Sequence, residues 1–203
     1  MDRAQLLRRA VELSLLSIGI SGLAGIIAVL AALTSGSLSL LGFGFDAVID
    51  ATASVTLVWR FTIEAREPHR AERVERIAEA TIGAVLLLLA AYLGLNALRA
   101  LAEGTSPEAS SVGTILLIAS IIALPPLALA KARLARRLES GALRADSLLT
   151  GVAAVLGVIS LVGLLASEAL GAGWADAAGA LVVAAILVRE GLGSVRIGRE
   201  PVT

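Results

Sequence analysis

The chain has no cysteine and a single histidine, His69. Without a thiol there is no disulfide framework, no cysteine zinc site, no iron–sulfur cluster and no thiol nucleophile. The one histidine lies in a charged stretch, so a histidine-based metal site or a Ser-His dyad inside an apolar segment is excluded. Charge is also scarce, at 17% of 203 residues. Basic and acidic residues number 17 each, so net charge names no partner. Nucleic-acid binding needs a basic excess and disorder needs low hydrophobicity, and neither applies.

What the chain has in quantity is apolar surface. Hydrophobic residues make up 57%, against about 45–50% in a typical soluble domain. Mean hydropathy is +0.89. A soluble fold of this size could not bury that much Ala, Leu, Ile and Val, and these residues fall into long blocks. The reading is an all-α integral membrane protein, multi-pass, in the cell's inner or plasma membrane.

A helix needs about 20 apolar residues to cross the hydrocarbon layer. Six runs qualify: 13–33, 38–61, 77–101, 112–130, 147–166 and 174–188. The first run is too long for the h-region of a signal peptide. The breaks between runs leave no room for a soluble domain, so 1–203 is expected to be a single six-helix unit. Positive charge is one-sided. Arg3, Arg8 and Arg9 precede the first run, and Arg60, Arg66, Arg70, Arg73 and Arg76 follow the second. Lys131, Arg133, Arg136, Arg137 and Arg144 follow the fourth, and Arg189, Arg196 and Arg199 close the chain. The opposite loops, 34–37, 103–111 and 167–173, carry no basic residue. The positive-inside rule then puts both termini in the cytoplasm. Arg99 is the exception, with Glu103 one turn on as its expected partner. The charged stretch 64–76 reads as a solvated helical extension interrupted by Pro68, with His69 on its surface.

Acids inside a membrane are costly and are functional candidates by default. Asp46 and Asp50 stand in Gly42-Phe-Gly-Phe-Asp-Ala-Val-Ile-Asp50. Counted in from Trp59 and Arg60, Asp50 lies about 15 Å deep at 1.5 Å per residue, and Asp46 a turn deeper. Their four-residue spacing puts both on one helix face, with Gly42 and Ser54 continuing the stripe. Two bare carboxylates this close repel, so a shared proton, a cation, or both in alternation must compensate. Exchange of a cation for protons is the simplest cycle that uses this chemistry.

The other polar positions read less sharply. Asp146 stands near the start of the fifth run, with Thr150 one turn deeper; it either lines a cytoplasmic mouth or stabilises the helix start, paired with Arg144 or a neighbour. Asp176, after Trp174, reads as an interfacial helix-start acid. Glu12 and Glu79 read as partners of nearby arginines. Ser17, Ser21 and Gly25, and Gly83, Ala90, Gly94 and Ala97, form small-residue stripes that permit close helix packing. Pro125-Pro126 should kink the fourth helix.

These motifs together resemble the transmembrane part of the cation diffusion facilitator (cation efflux) family. Asp46 and Asp50 fall on that family's second-helix Asp/His-x-x-x-Asp. Arg144-Ala-Asp146 resembles its lead-in to helix five, and Gly173-Trp-Ala-Asp176 its opening of helix six. The resemblance covers nearly the whole chain. It implies a six-helix efflux carrier for a divalent cation, typically zinc, driven by inward proton flow, with Asp46 and Asp50 as metal ligands; Asp146, from its own place at the start of the fifth run, is the third metal-site candidate. The family's helix-five ligand positions hold Leu149 and Ala153 here, as in some shorter members with Gly-Phe-Gly-x-Asp and Arg189-Glu190-Gly191-like motifs. No counterpart of the family's usual cytoplasmic domain is expected, as eight residues follow Val195. A homodimer through membrane helices is expected on the same grounds. Two carboxylates with hydroxyls from Thr150, Ser54 or Ser147 suit a harder ion, such as manganese or magnesium, better than zinc. The alternative is a non-transporting relative that partners another membrane protein. An intramembrane aspartyl protease fits poorly, because its two acids would come from separate helices.

Overall fold

In a computed structural model, the chain is described for residues 3–63, 68–108 and 110–199, with side chains over 5–59, 80–108, 110–169 and 171–196. The expectations for His69, for Glu79 and for the charges of 64–76 concern side chains outside these described residues. Every described element is a helix: α1 (Arg3–Ser35), α2 (Leu38–Ile63), α3 (Pro68–Glu103), α4 (Ser111–Leu138), α5 (Gly141–Leu170) and α6 (Trp174–Arg199). All six are long and apolar enough to cross a membrane.

The helices overrun the apolar runs that announced them. Pro68 does not interrupt an extension; it opens α3, where its missing N–H is no loss and its φ already suits a helix. The largest difference lies between the fourth and fifth runs. The stretch 131–146 is not a loop but the end of α4 and the start of α5, joined at Glu139 and Ser140. Glu139 takes the left-handed conformation (φ 53°) that closes α4, and the Ser140 hydroxyl accepts from the Leu143 N–H to open α5. A helix does not have to end where hydrophobicity does. Arg133, Arg136, Arg137 and Arg144 are exposed on this hairpin, so the charge stays outside while the backbone continues. α4 also passes Pro125 and Pro126 without ending.

α1, α2, α5 and α4 pack in a ring, each on its two neighbours, and α3 lies along α6, with α6 against α5 and α2 and α3 against α2. Close approach rests on glycine. A Cβ on Gly83 would come within 2.7 Å of the Gly191 carbonyl oxygen, and one on Gly191 within 2.9 Å of that of Gly83, so α3 and α6 cross almost backbone to backbone. Leu40, Phe43, Leu86, Leu93, Leu156 and Val183 fill the interior between the helices. The outside is apolar as well: Leu23, Leu30, Leu88, Ile115 and Ile122 all point outward. In water such a surface would aggregate; in lipid it is the solvated face. The polar groups are inside instead, among them Ser14, Ser17, Ser21, Ser54 and Thr150.

Trp174 is 65% exposed, as an interfacial anchor should be. Asp176 does more than start α6. Its carboxylate accepts from Ser37 Oγ (2.6 Å), the Leu38 N–H (2.9 Å) and Ser39 Oγ, tying the first turn of α6 to the open N-terminus of α2. Glu12 pairs with Arg8 at 3.2 Å. Arg99 and Glu103 do not pair; both side chains are exposed, where an ion pair gains little.

Candidate functional site

Asp50 stands midway along α2, and Asp46 one turn toward its N-terminus. The two are 2% and 4% exposed, on the face that α2 turns to the other helices. Each Asp50 oxygen is held by hydroxyls of neighbouring helices. Ser21 Oγ of α1 donates to Oδ2 at 2.7 Å, with Ser17 Oγ at 3.5 Å, and Thr150 Oγ1 of α5 donates to Oδ1 at 3.0 Å.

The residue at the centre is one that the sequence reading put in a cytoplasmic loop. Lys131, on α4, has no exposed surface at all. Its ammonium lies 2.7 Å from Asp146 Oδ2. It also donates to Ser17 Oγ at 2.7 Å, Thr150 Oγ1 at 3.0 Å and Ser54 Oγ at 3.2 Å. Ser54 in turn donates to Asp146 Oδ1 at 2.8 Å. The hydroxyls therefore point one way. Each offers a lone pair to the ammonium; Ser54 gives its hydrogen to Asp146, Thr150 has Asp50 Oδ1 and the Asp146 carbonyl (3.1 Å) within reach of its own, and Ser17 faces Asp50 at 3.5 Å. Lys131 escaped notice because it directly follows an apolar run and precedes Arg133, Arg136 and Arg137. One signal was there to read: it is the only lysine among 17 basic residues.

The three metal-site candidates are thus divided. Asp50 and Asp146 share the lysine-centred network through Thr150, Ser17 and Ser54. Asp146 pairs with Lys131 rather than with Arg144, which is exposed. Asp46 lies outside that network, and its electrostatic neighbours are Asp50 and Glu190 of α6. Glu190 entered the sequence reading only as part of a motif; here one of its oxygens, Oε2, is buried without a hydrogen-bond partner. On α5, Ala153 is packed in the apolar core and Leu149 brings no donor, so that helix contributes Asp146 and Thr150 instead. Among the described residues, no three acidic or histidine side chains converge tightly enough to cage one ion. The serines of α1, read as a packing stripe, turn out to be ligands of this network.

A six-helix membrane bundle with ionisable groups gathered inside it, and lipid-facing leucines outside, is the build of a carrier for small charged solutes. Residues 14–199 match the cation efflux transmembrane domain. The chain belongs to that family, whose members are transporters of cations rather than enzymes. It is a cation transporter of the efflux type, integral to the membrane.

Proposed function

We propose that this transporter carries a divalent metal ion and exchanges it for protons, through a site built on Asp46 and Asp50 with Asp146 at its edge. The observation that carries the reading is the α2 pair: two carboxylates a turn apart, buried mid-helix, neither in a direct ion pair among the described residues. Carboxylates so placed need a positive partner, and a cation alternating with protons supplies one. The nearby donors are all oxygen, from Asp46, Asp50, Ser17, Ser21 and Thr150. Such a set favours a hard ion such as manganese over zinc, which takes nitrogen and sulfur more readily. Zinc remains the cargo that family resemblance suggests. The arginine bias supports cytoplasmic termini, in the inner or plasma membrane, and the family supports a homodimer formed by membrane helices.

The test is reconstitution in liposomes holding a pH dye, with manganese, zinc, cobalt, cadmium and magnesium added in turn. Proton movement that depends on the metal and falls to background in Asp46→Asn/Asp50→Asn is the expected result. A second reading, a non-transporting relative that partners another membrane protein, is favoured by one observation: a lysine ammonium already lies among the polar groups of the bundle. Folded, inserted protein that moves no ion would decide for it.

A further inference from the structure

We infer that Lys131 is a tethered stand-in for the transported cation: its ammonium holds the cation's place in the ion-free protein, and the ion binds by displacing it. The inference rests on the carrier reading above.

Four oxygens surround the ammonium at 2.7–3.2 Å: one carboxylate oxygen from Asp146 and hydroxyls from Ser17, Ser54 and Thr150. An all-oxygen shell of this kind is what a hard cation takes from a protein. An ordinary buried ion pair needs one partner for each charge, with remaining bonds from whatever is near. Here the acceptors of the hydroxyl hydrogens lie away from the ammonium: Asp146 Oδ1 for Ser54 at 2.8 Å, Asp50 Oδ1 at 3.0 Å or the Asp146 carbonyl at 3.1 Å for Thr150, and Asp50 Oδ2 at a long 3.5 Å for Ser17, so lone pairs face inward. A set of lone pairs turned on one point, backed by two carboxylates, is a cation site, and Lys131 fills it.

The tether gives the occupancy a mechanical consequence. The oxygens come from α1 (Ser17), α2 (Ser54) and α5 (Thr150 and Asp146), and the ammonium comes from α4. One nitrogen thus joins four helices that pack in a ring, α1 on α2, α2 on α5, α5 on α4 and α4 on α1. A divalent ion drawn to Asp50 repels a fixed positive charge beside it, and the two cannot share the same hydroxyls. Binding therefore evicts the ammonium and breaks the links from α4 to α1, α2 and α5 that it makes; release lets it return. Lys131 also sets a threshold, because an ion must outcompete a charge that never leaves the protein.

The test compares equilibrium binding and liposome flux of manganese, zinc and cobalt for wild type, Lys131→Arg and Lys131→Gln, each checked for monodisperse folded protein. Removing the competitor should tighten metal binding about tenfold or more in Lys131→Gln and lower KM with it. Lys131→Arg should stay near wild type. A lysine that only held the helices together would weaken binding when lost, or leave it alone. If Lys131→Gln does not fold, Lys131→Gln/Asp146→Asn removes both charges of the pair, and it should bind metal about tenfold tighter than Asp146→Asn alone. Transport by wild type with an unchanged or higher KM in Lys131→Gln overturns the inference and leaves the carrier reading standing. Metal binding only when Lys131 is replaced overturns displacement by the ion, because the lysine then blocks the site outright, and refutes transport by the native chain. No binding by any folded variant overturns both.

Discussion

Asp176 shows what one side chain does at the end of the bundle away from the arginines. It accepts from the part-buried Leu38 N–H at the start of α2 and from the buried hydroxyls of Ser37 and Ser39. Hydrogen bonds to a charged acceptor contribute about 1.5–3 kcal/mol, and buried donors left open cost more than the bond was worth. Asp176→Ala is therefore expected to lower stability by about 2–3 kcal/mol, read as reversible unfolding in mixed micelles. A loss below 0.5 kcal/mol, roughly the scatter of a surface change, would refute the latch. The same scale shows what a sequence can reveal. Asp46 and Asp50 were legible because a carboxylate surrounded by apolar residues stands out at any depth, and their spacing fixes a shared face. Lys131 was not, because a basic residue at the edge of an apolar run looks like the first residue of a loop. Its depth depends on how far α4 continues and which way it faces α5. Glu190 was hidden in the same manner, next to Arg189 near the end of the last run.

At the scale of elements, the existence of each helix was legible and its length was not. Hydropathy marks the part of a helix that lipid requires to be apolar, while capping and packing decide where it stops. The α4–α5 hairpin is the case in point: its corner is fixed by Ser140 and Glu139, well beyond the apolar runs. The close crossing of α3 and α6 was hinted at by a stripe that included Gly83 and Gly94, yet the two glycines differ sharply. Nothing lies within 4 Å of a Cβ added at Gly94, whereas one at Gly83 meets the Gly191 carbonyl. Gly83→Ala must push backbone away from backbone, an overpacking that costs about 1–3 kcal/mol. It should also disturb Glu190, which precedes Gly191. Gly94→Ala should be neutral or stabilising by up to about 1 kcal/mol, from helix propensity alone. Thermal unfolding of the two variants in one detergent checks the pair. Equal effects would mean that α3 and α6 do not cross at Gly83.

Six crossings put both ends of the molecule on one side of the membrane, and the positive-inside rule predicts that it is the cytoplasmic one. Among the described residues, Arg8, Arg9, Arg133, Arg136, Arg137, Arg144 and Arg196 are exposed toward one end of the bundle. The opposite end exposes Glu103, Glu108 and Glu168, with Arg99 as the single base. Basic residues near short loops hold a membrane protein to the cytoplasmic side, and acids contribute little to that choice. The chain has no cysteine, so a single introduced thiol reports its own position without background. Thr105 and Gly141 suit the purpose: both are exposed, neither is charged, and a Cβ at Gly141 meets nothing within 4 Å. In intact cells, a membrane-impermeant maleimide should label Thr105→Cys directly and Gly141→Cys only after permeabilisation. In that orientation an ion leaving the cytoplasm enters from the arginine-bearing end, where α4 and α5 meet at Glu139 and Ser140. The reverse labelling pattern would turn the carrier over in the membrane. Lys131 would then guard the exit rather than the approach from the cytoplasm.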